Sequence, residues 1–309
     1  MNYQHFIMMK RILSTILVLA VSATAFAQNN KFTGALLWKI SGNNLDEPSY
    51  ILGTHHLTDA SFTEKIPGYN EAFSKVDQVI GEMVMSDMES MQMQMQMAVM
   101  MPADKSYKTL LTETEFNEVD NGLKAIFGAG LDQLGMVKPA AISTMLVSQL
   151  YVMSHPDFNP MAFTGIDNFV QQQATATNKE VKGLETIEDQ IYVLFDAEPL
   201  ESQAKSLHCT VMNQEFAKES LILLTKYYQE GDLVKMYELA FENKKDPCPS
   251  SEDFSHALNK ERNDKWLVKI PFMIKTKPAL IAVGALHLCG ENGLLYQLEK
   301  MGYKVEAVK

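Results

Sequence analysis

Along the chain, short apolar runs alternate with longer stretches in which apolar positions recur every three to four residues. The first pattern marks strands buried on both faces and the second marks amphipathic helices. Residues 35–40, 49–52, 78–80, 181–184, 279–283 and 304–308 carry the strand pattern. Residues 85–180 and again 186–275 read as mainly helical. Strands therefore cluster toward the two ends of the chain, with helical blocks between them. This order predicts an α/β fold, a central sheet built from N- and C-terminal strands with two large helical insertions. No internal repeat and no linker rich in Gly, Ser or Pro divides it, so residues 28–309 are expected to form a single domain.

The first 27 residues follow a different rule. Lys10 and Arg11 precede the apolar run 12–21, and a small-residue stretch ends in Ala25-Phe26-Ala27. These are the three regions of a secretory signal, with cleavage expected after Ala27. The run is about half of the ~20 residues that a membrane span needs, and no later segment is longer and as apolar. The mature chain is thus expected to lack a transmembrane segment and to be periplasmic or secreted. Export changes the meaning of the three cysteines. Cys209 and Cys248 lie in polar, turn-prone surroundings and Cys289 follows an apolar run, so a Cys209–Cys248 bridge with a buried Cys289 is expected among the three possible pairings. The 309 residues carry 27 Lys+Arg against 38 Asp+Glu, a net charge of −11. A surface of that sign does not attract phosphate, and nucleic acid is not an expected partner.

Candidate chemistry gathers where the strands end. Residues 49–52 run into Gly53-Thr54-His55-His56, residues 78–80 into Gly81-Glu82, residues 181–184 into Glu185, and residues 279–283 into Gly284-Ala285-Leu286-His287. In open α/β sheets ligands collect at the carboxyl ends of strands, so these side chains have a reason to converge. Both histidines stand in a Gly-x-x-His frame, where the glycine lets the backbone turn tightly. A third signal comes from the C-terminal helical pattern. Phe254, Leu258, Arg262, Trp266 and Ile270 form an i, i+4 series, which puts Arg262 on an apolar face. An unpaired guanidinium there would cost several kcal/mol, so it must meet a carboxylate, open into a polar cavity, or snorkel to water. Pro271 is expected to end or bend this helix.

Methionine is the compositional anomaly. Nine of the 20 fall between residues 83 and 101, with Met83 and Met101 at the ends and a run of alternating Met and Gln from Met91 to Met97. Met and Gln favour helix, which puts Met91 with Met95 and Met93 with Met97 on nearly opposite faces. Such a helix is read as a loosely packed cap, an adaptable binding surface for a partner, or a thioether site for Cu(I).

These residues also resemble the TraB/PrgY/GumN family. The likeness runs through Leu36-Leu37-Trp38-Lys39-Ile40, Tyr50-Ile51-Leu52-Gly53-Thr54-His55-His56, Gly165-Ile166-Asp167, Gly183-Leu184-Glu185-Thr186 with Gln190, Glu261-Arg262-Asn263, and Val283-Gly284-Ala285-Leu286-His287-Leu288 with Gly290, Gly293-Leu294 and Met301-Gly302-Tyr303-Lys304-Val305. It spans nearly the whole mature chain. The resemblance implies a fold of the erythromycin-esterase and ChaN-like group. It also implies a metal-dependent peptidase like the TIKI proteins, acting on a peptide or protein substrate. On that reading His56, His287 and Glu82 hold a divalent ion (Mn, Co, Fe or Zn), and His55, where the family usually has an apolar residue, is either an extra ligand or a neighbour pointing away. Glu82 or Glu185 takes a proton from water, Arg262 stabilises the developing oxyanion, Asn263 lines the site, and Asp167 supports it. The alternative is a periplasmic protein that binds metal, haem or peptide without turnover, as the ChaN-like resemblance permits. An inactive scaffold that binds partners through the Met-rich cap is a third reading.

Overall fold

A computed structural model describes residues 31–309, leaving aside the side chains of residues 87–91; the expected leader, residues 1–27, lies outside the described residues. Six strands form one mixed sheet: β1 (Leu37–Gly42), β2 (Ser49–Thr54), β3 (Gln78–Gly81), β4 (Glu180–Gly183), β5 (Ala279–Gly284) and β6 (Tyr303–Ala307). Their spatial order is β4-β3-β5-β2-β1-β6. The four strands from β4 to β2 run parallel, whereas β1 pairs antiparallel with both β2 and β6. Every expected strand is present, shifted by at most two residues at its ends. The central members explain why their sequences are nearly all apolar: β2 is buried along its whole length, and β5 is buried up to its last residue, as expected for strands covered on both faces.

The helical insertions are also as expected. Among the described elements, α1 (Met88–Ala98), α2 (Glu113–Phe127), α3 (Pro139–Ser154) and α4 (Ile166–Ala176) precede β4, and α5 (Leu200–Met212), α6 (Gln214–Gln229) and α7 (Glu261–Thr276) lie between β4 and β5. Helices α2, α3, α4, α5 and α7 divide between two cores. Helices α4 and α7 supply Ile166, Val170, Ala174, Trp266, Ile270 and Ile274 to the core around the sheet. Helices α2, α3 and α5 enclose a second core with Leu123, Ile142, Leu146, Leu150, Leu207 and Val211. The Cys209–Cys248 disulfide ties α5 to the segment that leads toward α7, and Cys289 stays free and buried.

Of the two outcomes expected at Pro271, ending the helix is excluded, because α7 runs on to Thr276 with the proline inside. The i, i+4 series also does not extend back to Phe254. A π turn over His256–Lys260 inserts extra chain ahead of α7, so upstream of Arg262 the buried positions are Ala257 and Asn259. Such turns re-aim the side chains on either side of them.

Candidate functional site

The sheet register sets the geometry of the site. Thr54 pairs with Gly284, and Gly81 pairs with both Ala282 and Gly183, so the four parallel strands finish at nearly one level. Within three residues of those ends come His56, Glu82, Glu185 and His287. Gly284 is where three of them meet. A methyl group placed on its Cα would lie 3.3 Å from Glu82 Oε1, 3.5 Å from His287 Cδ2 and 4.0 Å from His56 Nε2. The bare glycine leaves that space open between the three side chains.

Arg262 fills the inner side of this cluster. Its Nε donates to Glu185 Oε2 (3.1 Å), and Nη2 donates to Glu185 Oε1 (2.7 Å) and to Glu82 Oε2 (2.5 Å). Nη1 donates to the Leu258 carbonyl (3.3 Å) and to His287 Nε2 (2.9 Å). A guanidinium has five N–H donors, and all five are engaged. The expected partner for an arginine on an apolar face is therefore a pair of carboxylates, and snorkelling does not occur: Arg262 is 9% exposed. Trp266 adds Nε1–H to Glu185 Oε2 (3.2 Å), and its ring lies 4.8 Å from the guanidinium carbon. Buried ions persist only when bonded this completely. Burial pulls the arginine pKa down, but bonds to Glu185 and the charge of Glu82 outweigh it and raise it further above its ordinary value.

Glu82 answers to the same balance. Burial pushes its pKa up, but the charges of Arg262 and His56 and the backbone N–H of Gly284 (2.8 Å) overcome this and hold it at about 2. Both of its oxygens are occupied, Oε2 also receiving a 3.4 Å contact from Gln190. His287 is buried, and burial lowers its pKa to about 3, so the ring is neutral. Its Nδ1–H donates to Asn263 Oδ1 (2.8 Å), which leaves the Nε2 lone pair facing Arg262. Asn263 is the expected wall residue, and it acts through position: its Nδ2 donates to the carbonyls of His287 (3.1 Å) and Asn292 (2.8 Å).

His56 stands on the open side, with its side chain 69% exposed. Its Nδ1 meets Asp167 Oδ2 at 3.0 Å, and Asp167 Oδ1 accepts the Thr54 hydroxyl at 2.6 Å. The bond to Asp167 raises the histidine pKa to about 9. His55 turns away from the cluster. Its Nδ1 accepts the Leu57 N–H (3.3 Å), its ring packs 5.3 Å from that of Tyr228, and burial lowers its pKa to about 4.

Of the side chains expected to hold a divalent ion, only His56 keeps a free donor atom, Nε2; the others are committed elsewhere. Arg262 takes His287 Nε2 and Glu82 Oε2, Gly284 takes Glu82 Oε1, and His55 serves its own loop. Among the described residues no group of three His, Cys, Asp or Glu side chains is arranged to hold a metal. In this arrangement the residues do not fit a divalent ion, because the guanidinium already supplies the positive charge that gathers the carboxylates.

The family model for TraB/PrgY/gumN matches residues 36–307. The chain belongs to that family. No curated protein and no solved structure matches it. The matched span begins just before β1 and ends with the last residue of β6, so the family signature covers the whole sheet and everything suspended from it. All eight expected site residues lie inside it. Five of them, Glu82, Glu185, Arg262, Asn263 and His287, are joined by hydrogen bonds, the bonded pair His56 and Asp167 faces them across Gly284, and His55 alone stands apart. Sequence reasoning missed Thr54, the Trp266 indole as a donor, the Gly284 backbone and Asn259, whose Nδ2 donates to the Leu286 carbonyl at 2.9 Å. Thr54 did carry a signal: it is a hydroxyl in the same strand-end motif as His56. Asn259 had none, since its burial depends on the π turn.

Proposed function

We propose that this member of the family is an exported hydrolase that cleaves the amide C–N bond of peptide or peptide-like substrates, with His56 as its proton carrier. The observation that carries this reading is the convergence of His56 Nε2, Glu82 Oε1 and His287 on the open space at Gly284. Asp167 accepts from Nδ1 and so orients the ring, leaving Nε2 to take a proton from water and return it to the leaving group. This gives His56 the role that the resemblance assigns to Glu82 or Glu185, whose oxygens are held by Arg262. Glu82 and the neutral His287 form the fixed polar wall against which a reacting water or carbonyl rests. Arg262, with no free donor, holds both carboxylates in place. The disulfide supports export, since such bonds persist in oxidising compartments. No described helix is long and apolar enough to cross a membrane.

Beside the network a cleft of about 340 Å³ opens between Tyr237, Phe241, His256, Asn259, Lys260 and Asn292. Its mixture of aromatic and charged groups suits a substrate side chain. The ion-dependent hydrolysis implied by the family resemblance would require Arg262 to release Glu82 and His287.

Turnover of a peptide library by the purified protein tests the proposal, in EDTA and with added Mn²⁺ or Co²⁺. Cleavage that survives EDTA, rises with pH toward about 9 and falls at least ~100-fold in His56→Ala is expected, in line with the loss of a general acid–base group. Gly284→Ala should fold normally, because the glycine has φ −50°, yet lose activity by filling the shared space. Cleavage that appears only with added ion returns the function to the metal-dependent reading. Peptide binding without cleavage under any condition rejects the hydrolase and supports the binding one.

A further inference from the structure

The cleft beside the network has an aromatic wall, an acidic rim and a buried amide. The wall comes from the helix Leu233–Phe241, whose Tyr237 and Phe241 rings lie 5.0 Å apart. Gly290, at φ +82°, seats the first ring: a methyl group on its Cα would come within 2.8 Å of Tyr237 Cζ. The rim carries Glu242 and Glu252, both exposed. The chain around Glu252 is pinned, since Cys248 is bonded to Cys209 on α5 and the Ser251 hydroxyl donates to Glu198 Oε1 (2.9 Å) and accepts the Phe254 N–H (3.1 Å). Asn259 and Asn292 join the cleft to the candidate site. Asn259 Nδ2 donates to the Leu286 carbonyl, and the Asn292 carbonyl accepts from Asn263, which also holds the His287 ring. Asn259 is 7% exposed, and its Oδ1 receives only a 3.4 Å contact from Asn263.

The charges of this lining do not balance. They are Glu242, Glu252 and Lys260, and Lys260 already pairs with Asp264 one helical turn further on. Among the described residues no cation pairs with either glutamate. The Tyr237 phenol registers the resulting field: burial raises its pKa, and the charge of Glu242 raises it further. We propose that the cleft is a subsite for the guanidinium of an arginine side chain on the peptide that the candidate site holds. This rests on the peptide reading of that site and adds the side chain that the peptide presents. A guanidinium stacks on aromatic rings and forks onto carboxylates, and a further N–H can donate to the Asn259 oxygen. An apolar side chain would leave both carboxylates uncompensated, and an acidic one would be repelled. The volume of about 340 Å³ lies in the range of small-ligand sites, far above what a bare metal ion requires.

Titration of the purified protein with N-acetyl-arginine amide and with its neutral isostere N-acetyl-citrulline amide tests the subsite, read from the side-chain amide NMR signals of Asn259 and Asn292. The wild type is expected to bind the arginine compound ~10-fold more tightly, as two partly exposed ion pairs and a cation–π contact would give. The difference should shrink as salt is added. The variant E242Q/E252Q, altered at two exposed positions, should keep the urea midpoint and lose the preference. Equal binding of the two compounds, shifts confined to residues outside the cleft, or an unchanged preference in the variant would each overturn the subsite. A peptide library separates this inference from the hydrolytic one. Cleavage with no preference for arginine near the scissile bond overturns the subsite and leaves the hydrolase standing. Arginine-selective binding with no peptide cleaved removes the hydrolase and supports the subsite.

Discussion

At the scale of single residues, the site separates its histidines by environment. Burial lowers His55 to about 4 and His287 to about 3, whereas the Asp167 bond raises His56 to about 9. An unfolded histidine titrates near 6.5. Between about pH 3 and 6.5 the unfolded chain binds more protons at His55 and His287 than the folded one, so stability falls as the solution is acidified. Glu82, held at about 2, adds to that loss below about 4.5. His56 acts in the opposite sense. Its contribution is complete below about 6.5 and is lost as pH rises through 9. The urea midpoint should therefore peak near pH 6.5 and decline on both sides, and His56→Ala should flatten the alkaline decline. A midpoint that climbs steadily to pH 9 would show that His56 is not held by Asp167.

At the scale of elements, local sequence decides how helices start, and packing decides what they carry inward. Helix α2 begins with a capping box: Thr112 accepts the Glu115 N–H (3.3 Å), and Glu115 returns a bond to the Thr112 N–H (2.9 Å). Lys205 on α5 then binds the same carboxylate at 2.6 Å, which joins the cap to the second core. Thr112→Ala should lower stability by about 1 kcal/mol, measured by thermal or urea unfolding, without changing activity. An unchanged midpoint would mean that the cap is replaced by solvent. Helix α7 shows the other case. Its apolar stripe from Trp266 to Ile270 was legible as a period, and so was the odd arginine on it. The π turn before it was not legible, because it arises where Asn259 and Arg262 must both reach the His287 loop.

For the whole molecule, the covalent tie is the Cys209–Cys248 bridge, with a sequence separation of 39. Closing a loop of that size restricts the unfolded chain by about 4 kcal/mol in the entropic account. Cys209→Ser with Cys248→Ser should cost a large part of that, read as a lower urea midpoint, and reducing agent should mimic it in the wild type. A variant as stable as the wild type would assign the bridge no role in folding. The sequence alone determined the strand order along the chain, the helical insertions, the family and seven of the eight residues that share the site, because periodicity and short motifs are local properties. Tertiary structure decided the partners. That Arg262 spends all five donors on Glu82, Glu185, His287 and Leu258, that His55 faces Tyr228, and that Gly284 holds the gap open all follow from sheet register and a π turn. These bring together residues 202 positions apart, such as Glu82 and Gly284, a proximity that no local pattern encodes.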